Sequence, residues 1–232
     1  MSLRRFAAGR EQHERERAAA QGPPVPQGPP PGERCEMCAE PIGTEHGHVA
    51  NLEDRRILCT CRPCTLLFTH EGAGSERRAG ADGDSPIRRF RAVPERYRYD
   101  PDFAMSEGDW DELAIPVRMA FFFRNSGMGR TVAFYPSPAG ATESELPLDA
   151  WVRVLAANPA VADVEPDVEA LLVDRGSGAY LVPIDVCYEL VGLVRLHWKG
   201  FDGGEEAWGA IESFFAALRG RAKRVAREDA RG

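Results

Sequence analysis

Lysine is nearly absent from this chain: of its 29 basic residues, 27 are arginine. With abundant alanine and glycine, that bias reads as the codon usage of a GC-rich bacterial genome. An excess of positive charge is missing too. The formal net charge is −7, so nothing draws the whole molecule to nucleic acid or to an anionic membrane. Long apolar runs are lacking as well. None exceeds five residues, as in MAFFF at 119–123, far short of the roughly 20 that span a bilayer. The N-terminal 21 residues are charged throughout and hold no apolar stretch of the secretory kind. No membrane insertion and a cytoplasmic location are therefore expected, and there thiols stay reduced and clustered cysteines favour metal over disulfides. Walker loops, nucleophile elbows, Rossmann loops and metalloprotease helices are all absent from the sequence.

What is present divides the 232 residues, 43% of them apolar, into one ordinary domain and a small appendage. Residues 1–34 run from a charged stretch into GPPVPQGPPPG, where six of the ten residues from Gly22 to Pro31 are proline. Such density favours an extended, disordered tether. A cysteine-rich module follows over 35–70. A glycine- and charge-rich linker is expected over 71–86, an α+β domain over 87–220, and a basic frayed tail over 221–232.

Five of the six cysteines lie between Cys35 and Cys64. The pairs Cys35–Cys38 and Cys61–Cys64 have zinc-knuckle spacing, two thiolates from each pair presented to one tetrahedral ion. HGHVANL and RRILCT read as strands about the turn EDR, and TLLF starts a helix beyond Cys64. Knuckle, hairpin and a ligand pair at a helix start make a treble-clef or zinc-ribbon-like layout. Some 35 residues bury too little apolar surface to fold alone, whereas structural zinc supplies roughly 10–16 kcal/mol. Structural Zn2+ is the expected cofactor, with iron the lesser alternative. Cys59 is left over. It reads as a half-buried strand residue, with an additional metal or redox role as the sharper alternative. His46 and His48 are placed to join it in a second site, but they read as loop histidines, which seldom serve as ligands.

Beyond residue 87, RRFRAV reads as a short strand and SEGDWDEL as a helical turn. VRMAFFFR and RTVAFYP form a hairpin, with Val117, Met119, Phe121 and Phe123 on one face and Ala120 and Phe122 making the other apolar too. LDAWVRVLAANP is a helix stopped at Asn158-Pro159. VEALLV and AYLVPI form a second hairpin. Two helices follow, with apolar stripes at 187, 190, 191, 194, 197 and 198, and at 208, 211, 214, 215 and 218. The expected fold is α+β: an antiparallel sheet of two hairpins with helices on one face. The loop at 135–146, with Ser137, Gly140, Thr142, Glu143 and Ser144, is the candidate binding surface, although turn and capping roles also explain it. Cys187 reads as inert core. Glu143, Asp185 and His197 are the one acid–base trio that can be assembled.

The segments ERCEMC, CTCRPCTLLF, RFRAVPERY, IPVRMAFFFRNS, VAFYPSPAGATES and YLVPIDVCYELVGLVRLHWKGF resemble a bacterial, mainly actinobacterial, family of unknown function over about residues 33–220. Genes of that family lie in clusters encoding uptake NiFe hydrogenases. The resemblance implies a non-enzymatic accessory or adaptor protein for hydrogenase assembly, maturation or electron delivery. Its partners would be hydrogenase subunits or maturation factors. A zinc-dependent nucleic-acid-binding regulator and a metal or thiol enzyme are the alternatives. Against the first, residues 35–78 carry five basic and seven acidic residues where phosphate binding needs a basic face. Against the second, four cysteines close a zinc site.

Overall fold

The computed structural model describes residues 32–69, 89–113, 115–144 and 149–225. The linker expected over 71–86 and nearly all of the tether expected over 1–34 lie outside them.

Two sheets organise the described residues. The smaller runs in the order β2-β1-β3, with β1 at Gly47–Asn51, β2 at Arg56–Thr60 and β3 at Phe90–Ala92. β1 and β2 are the expected hairpin, and the five-residue helix α1, Arg62–Leu66, leaves from its end. The short strand expected in RRFRAV pairs with β1, through Val49↔Ala92, Ala50↔Arg91 and Asn51↔Phe90. Backbone bonds from Leu52 N to Arg89 O (2.8 Å) and from Val93 N to His48 O (2.9 Å) extend that seam.

The larger sheet has seven strands. They are β4 (Arg98–Asp100), β5 (Met119–Asn125), β6 (Arg130–Ser137), β7 (Gly140–Glu143), β8 (Glu169–Asp174), β9 (Gly178–Pro183) and β10 (Lys223–Arg224). Their order is β10-β4-β9-β8-β5-β6-β7. Both expected hairpins are present, as β5–β6 and β8–β9. One neighbour pair, β10 with β4, is parallel, so the sheet is mixed and not wholly antiparallel. That pairing also orders the start of the expected frayed tail: Val225 is buried against the sheet. At the β8–β9 turn, Gly178 has φ +101°, and a Cβ there would meet Asp100 O at 2.4 Å. Glycine lets β9 close against the end of β4.

Helices cover both faces, which corrects the expectation of one. α4 (Ile184–His197) and α5 (Gly204–Arg221) pack Cys187, Leu190, Val194, Ile211, Phe215 and Leu218 onto Phe121, Leu172, Tyr180 and Val182. On the opposite face, α2 (Glu107–Glu112) and α3 (Asp149–Ala157) bring Trp110, Trp151 and Val154 onto Ala120, Phe122, Leu171 and Leu181. The physical reason lies in the strands themselves. β8 is buried at all six positions and β5 at its first five, and a strand apolar on both sides needs a cover on both. Phe122 and Trp151 stack with centroids 3.6 Å apart.

One buried ion pair ties the β3–β4 connection to the sheet. Glu169 is fully buried, and its carboxylate accepts from Arg96 Nε at 2.7 Å and from the Glu165 backbone N–H at 2.9 Å. Arg96 Nη2 also donates to Glu169, and Arg96 Nη1 to Asp163 at 2.9 Å.

Candidate metal centre

The four paired cysteines come from two local structures that meet. The first is a tight turn closed by a bridge between Arg34 and Pro41. Within it Cys35 N–H donates to Glu40 O, Ala39 N–H donates to Cys35 O, and Ala39 takes the left-handed conformation (φ 63°) that reverses the chain. The second begins where β2 ends: Cys61 is the N-cap of α1, Pro63 occupies its first turn, and Cys64 lies one turn on. Glu36 joins the two. Its backbone N–H donates to Cys59 O at 2.9 Å, and its side chain accepts from Cys59 N–H at 2.7 Å.

The result is a group able to hold a metal ion. The four sulfurs lie within 4.8 Å of one another, and Cys38 Sγ and Cys61 Sγ are 3.6 Å apart. Cys35 and Cys61 are buried, Cys64 is half-buried and Cys38 is exposed. Burial pushes the Cys35 thiol up, but backbone groups of Cys61, Cys38 and Met37 outweigh it and bring it down to about 6. Burial, followed by the neighbouring sulfurs of Cys61, Cys38 and Cys35, drives Cys64 far above its ordinary value. For Cys38 the Glu40 backbone lowers the pKa, but the Cys35 and Cys61 side chains together leave it raised. Four thiols this close cannot all ionise unaided, and a divalent cation relieves that crowding when it takes them as thiolates.

Cys59 stands outside this cluster. In the β1–β2 register it lies directly opposite His48, and His46 precedes His48 by two residues, on the same side of the strand. A nitrogen of each ring and Cys59 Sγ lie within 4.8 Å of one another. The two rings meet edge to face at 4.9 Å. His48 Nδ1 pairs with Asp185 Oδ2, on the first turn of α4, at 2.7 Å. That bond raises the His48 pKa against the opposing effect of burial. His46 Nδ1 bonds Gly43 O at 2.8 Å. Burial, then the charges of Glu33, Glu36 and Asp185, push the Cys59 thiol up. A raised thiol is poorly suited to the redox role weighed for it, which depends on thiolate. Both histidines belong to the expected strand HGHVANL. Their two-residue spacing opposite Cys59 was the available signal, but the Asp185 partner, 137 positions after His48, left none.

The candidate loop is a hairpin turn. Tyr135–Ser137 close β6, Gly140–Glu143 form β7, and the two strands pair through Ser137↔Gly140 and Tyr135↔Thr142. Ser137 Oγ donates to Gly140 O and accepts from Thr142 Oγ1, both at 3.0 Å. Glu143 pairs with Arg130 at 3.1 Å, and the hydroxyl of buried Ser144 donates to Leu113 O at 3.2 Å. Their polar groups thus build the turn. The acid–base trio has separate partners: Glu143 has Arg130, Asp185 has His48, and His197 has Glu206 at 3.0 Å. Cys187 is fully buried in the core beneath α4, and burial raises its thiol well above the ordinary value. Among the described residues, no helix is long and apolar enough to cross a membrane.

Comparison with known proteins finds a family of unknown function, DUF5947, whose pattern matches residues 34–222. No curated protein and no solved structure matches the chain.

Proposed function

The chain belongs to this family of unknown function, and we propose that it is a metal-stabilised, non-enzymatic accessory protein that binds other proteins. The observation that carries this reading is the four-cysteine cluster. Four thiolates complete a tetrahedral shell and leave no position for substrate, which is the arrangement of structural zinc. Zinc is accordingly the ion we assign. The order of turn, β1–β2 hairpin and second cysteine pair at the start of α1 is the reason for reading the module as a treble clef.

Partner binding is supported by apolar side chains left on the surface. Leu66 and Leu67, at the end of α1, are 50% and 69% exposed, and Leu196 and Phe201, at the α4–α5 corner, are 74% and fully exposed. Large apolar residues gathered at two corners mark contact surfaces. The resemblance in the segments quoted above names the partners we expect: NiFe hydrogenase subunits or their maturation factors, in the cytoplasm.

The test is affinity purification of the tagged protein from its source organism, with elemental analysis of the same sample. Hydrogenase components should co-purify, together with zinc that is lost in Cys61→Ser. Deleting the gene should lower hydrogenase activity and leave hydrogenase transcript levels unchanged. A fall in transcripts would support the DNA-binding alternative instead. Unchanged activity with no hydrogenase component in the eluate refutes the accessory role, and a visible iron absorption band refutes zinc.

A further inference from the structure

We propose that His46, His48 and Cys59 form a second metal site, distinct from the four-cysteine cluster, that binds a divalent transition-metal ion through three protein ligands and keeps a coordination position open. This goes beyond the accessory role and does not depend on it.

The donor atoms are arranged as ligands are. His46 Nδ1 faces a backbone carbonyl and His48 Nδ1 a carboxylate, at 2.8 and 2.7 Å. Both partners only accept hydrogen bonds, so in each neutral ring the proton sits on Nδ1 and the Nε2 lone pair is free. Metal-binding histidines are oriented in this way, with the second nitrogen donating to a carboxylate or a carbonyl.

A purely structural role accounts for part of this. The His48–Asp185 bond could serve only to hold the hairpin against α4. It does not account for His46, whose side chain is 8% exposed and whose Nε2 is buried without a hydrogen-bond partner. A buried nitrogen with no partner has lost its water and gained nothing in return. The His46 ring meets a second imidazole edge to face, and a metal ion is the group that uses both rings and the Cys59 sulfur. One nitrogen of each ring and Cys59 Sγ lie within 4.8 Å of one another. Zinc bonds of about 2.0–2.3 Å then need only small side-chain rotations. Glu33, Glu36 and Asp185 add negative charge around Cys59, which favours a cation there.

The donor set also narrows the ion. Imidazole suits zinc, copper, iron and nickel, and thiolate favours zinc, copper(I) and iron–sulfur centres, so zinc is the divalent ion that suits both. Three protein ligands leave the fourth tetrahedral position for water or for a donor from a partner molecule. The site spans β1, β2 and, through Asp185, the start of α4, so an ion there also fastens the hairpin to the larger sheet's helices.

The experiment is zinc stoichiometry and affinity on the full chain, by elemental analysis and competition with a chromophoric chelator. Wild type should hold two zinc ions, one released at much lower chelator concentration. Cys59→Ala and His46→Ala should each hold one, the more tightly bound ion. Asp185→Asn, which removes no ligand, should weaken the second ion by roughly 10–100-fold without changing the first. Cobalt substituted at the second site should give visible bands with a thiolate charge-transfer component that Cys59→Ala abolishes. A single zinc in wild type overturns the proposal. So does a second ion unaffected by Cys59→Ala, His46→Ala and Asp185→Asn alike.

Discussion

Removing the four-cysteine metal should weaken the larger domain as well as the module that binds it. Cys38→Ser is the appropriate change, since Cys38 is exposed and its replacement loses a ligand with little packing. The magnitude follows from what joins the hairpin to the rest. Ala50 belongs to the core beneath α4 and α5, and Leu52 and Ile57 pack against it while partly buried. Half-burial of two such side chains contributes about 2 kcal/mol in total. The two backbone bonds along the β1–β3 seam, from Leu52 to Arg89 and from Val93 to His48, add about 1 kcal/mol each. Melting the module should therefore remove about 4 kcal/mol of support, a large share of the roughly 5–15 kcal/mol of an ordinary domain. All four tryptophans, Trp110, Trp151, Trp198 and Trp208, lie outside the module, so their fluorescence reports only on the larger domain. At a urea slope near 2 kcal/mol/M, their unfolding midpoint should fall by about 2 M. An unchanged midpoint in protein shown to have lost its metal refutes the coupling.

Two further outcomes rest on the larger domain. Arg96→Ala should destabilise it by about 3–5 kcal/mol in chemical denaturation, because Glu169 would be left buried and unpaired; a loss under 1 kcal/mol contradicts that. Ser106→Ala should cost about 1 kcal/mol by removing the cap of α2. Bonds from Ser106 hold the Asp109 pKa below its ordinary value. Asp109 thus adds stability above the unfolded carboxyl pKa, and that stability is lost as pH falls through the folded value. In Ser106→Ala an NMR titration should find Asp109 shifted upward, and an unshifted carboxyl refutes the capping account.

The legible parts of the fold were those with a local cause. Cysteine spacing set out the metal group, short apolar runs flanking turn residues the hairpins, and the stripe from Cys187 to Val194 the buried face of α4. Two further features have a local cause as well. MAFFF is apolar on both faces, which already called for helices on both sides of the sheet. Ser137-Pro138-Ala139-Gly140 is turn chemistry, and the turn role given beside the binding-loop reading is the one these residues have between β6 and β7. Other features had no local cause at all. β3 follows β1 by some forty residues, and RRFRAV does not state which strand it will join. The His48–Asp185 contact likewise depends on how the hairpin docks against α4.

That docking gives the hairpin two jobs on one short segment. Cys59 and Cys61 are separated only by Thr60, a fully buried residue whose hydroxyl donates to Gly47 O at 3.0 Å and meets Thr65 Oγ1 at 2.8 Å. A Cβ on Gly47 would lie 2.1 Å from the same Thr65 oxygen, so α1 can sit this close only because the residue between the two histidines has no side chain. The contact fixes α1, and with it Cys64, against the strand that carries His48. The geometry of the four-sulfur cluster and that of the His46–His48–Cys59 group are therefore set by one packing arrangement. Filling the closed cluster first would order the strand on which the open one is built, which makes the structural ion a precondition for binding at the second site.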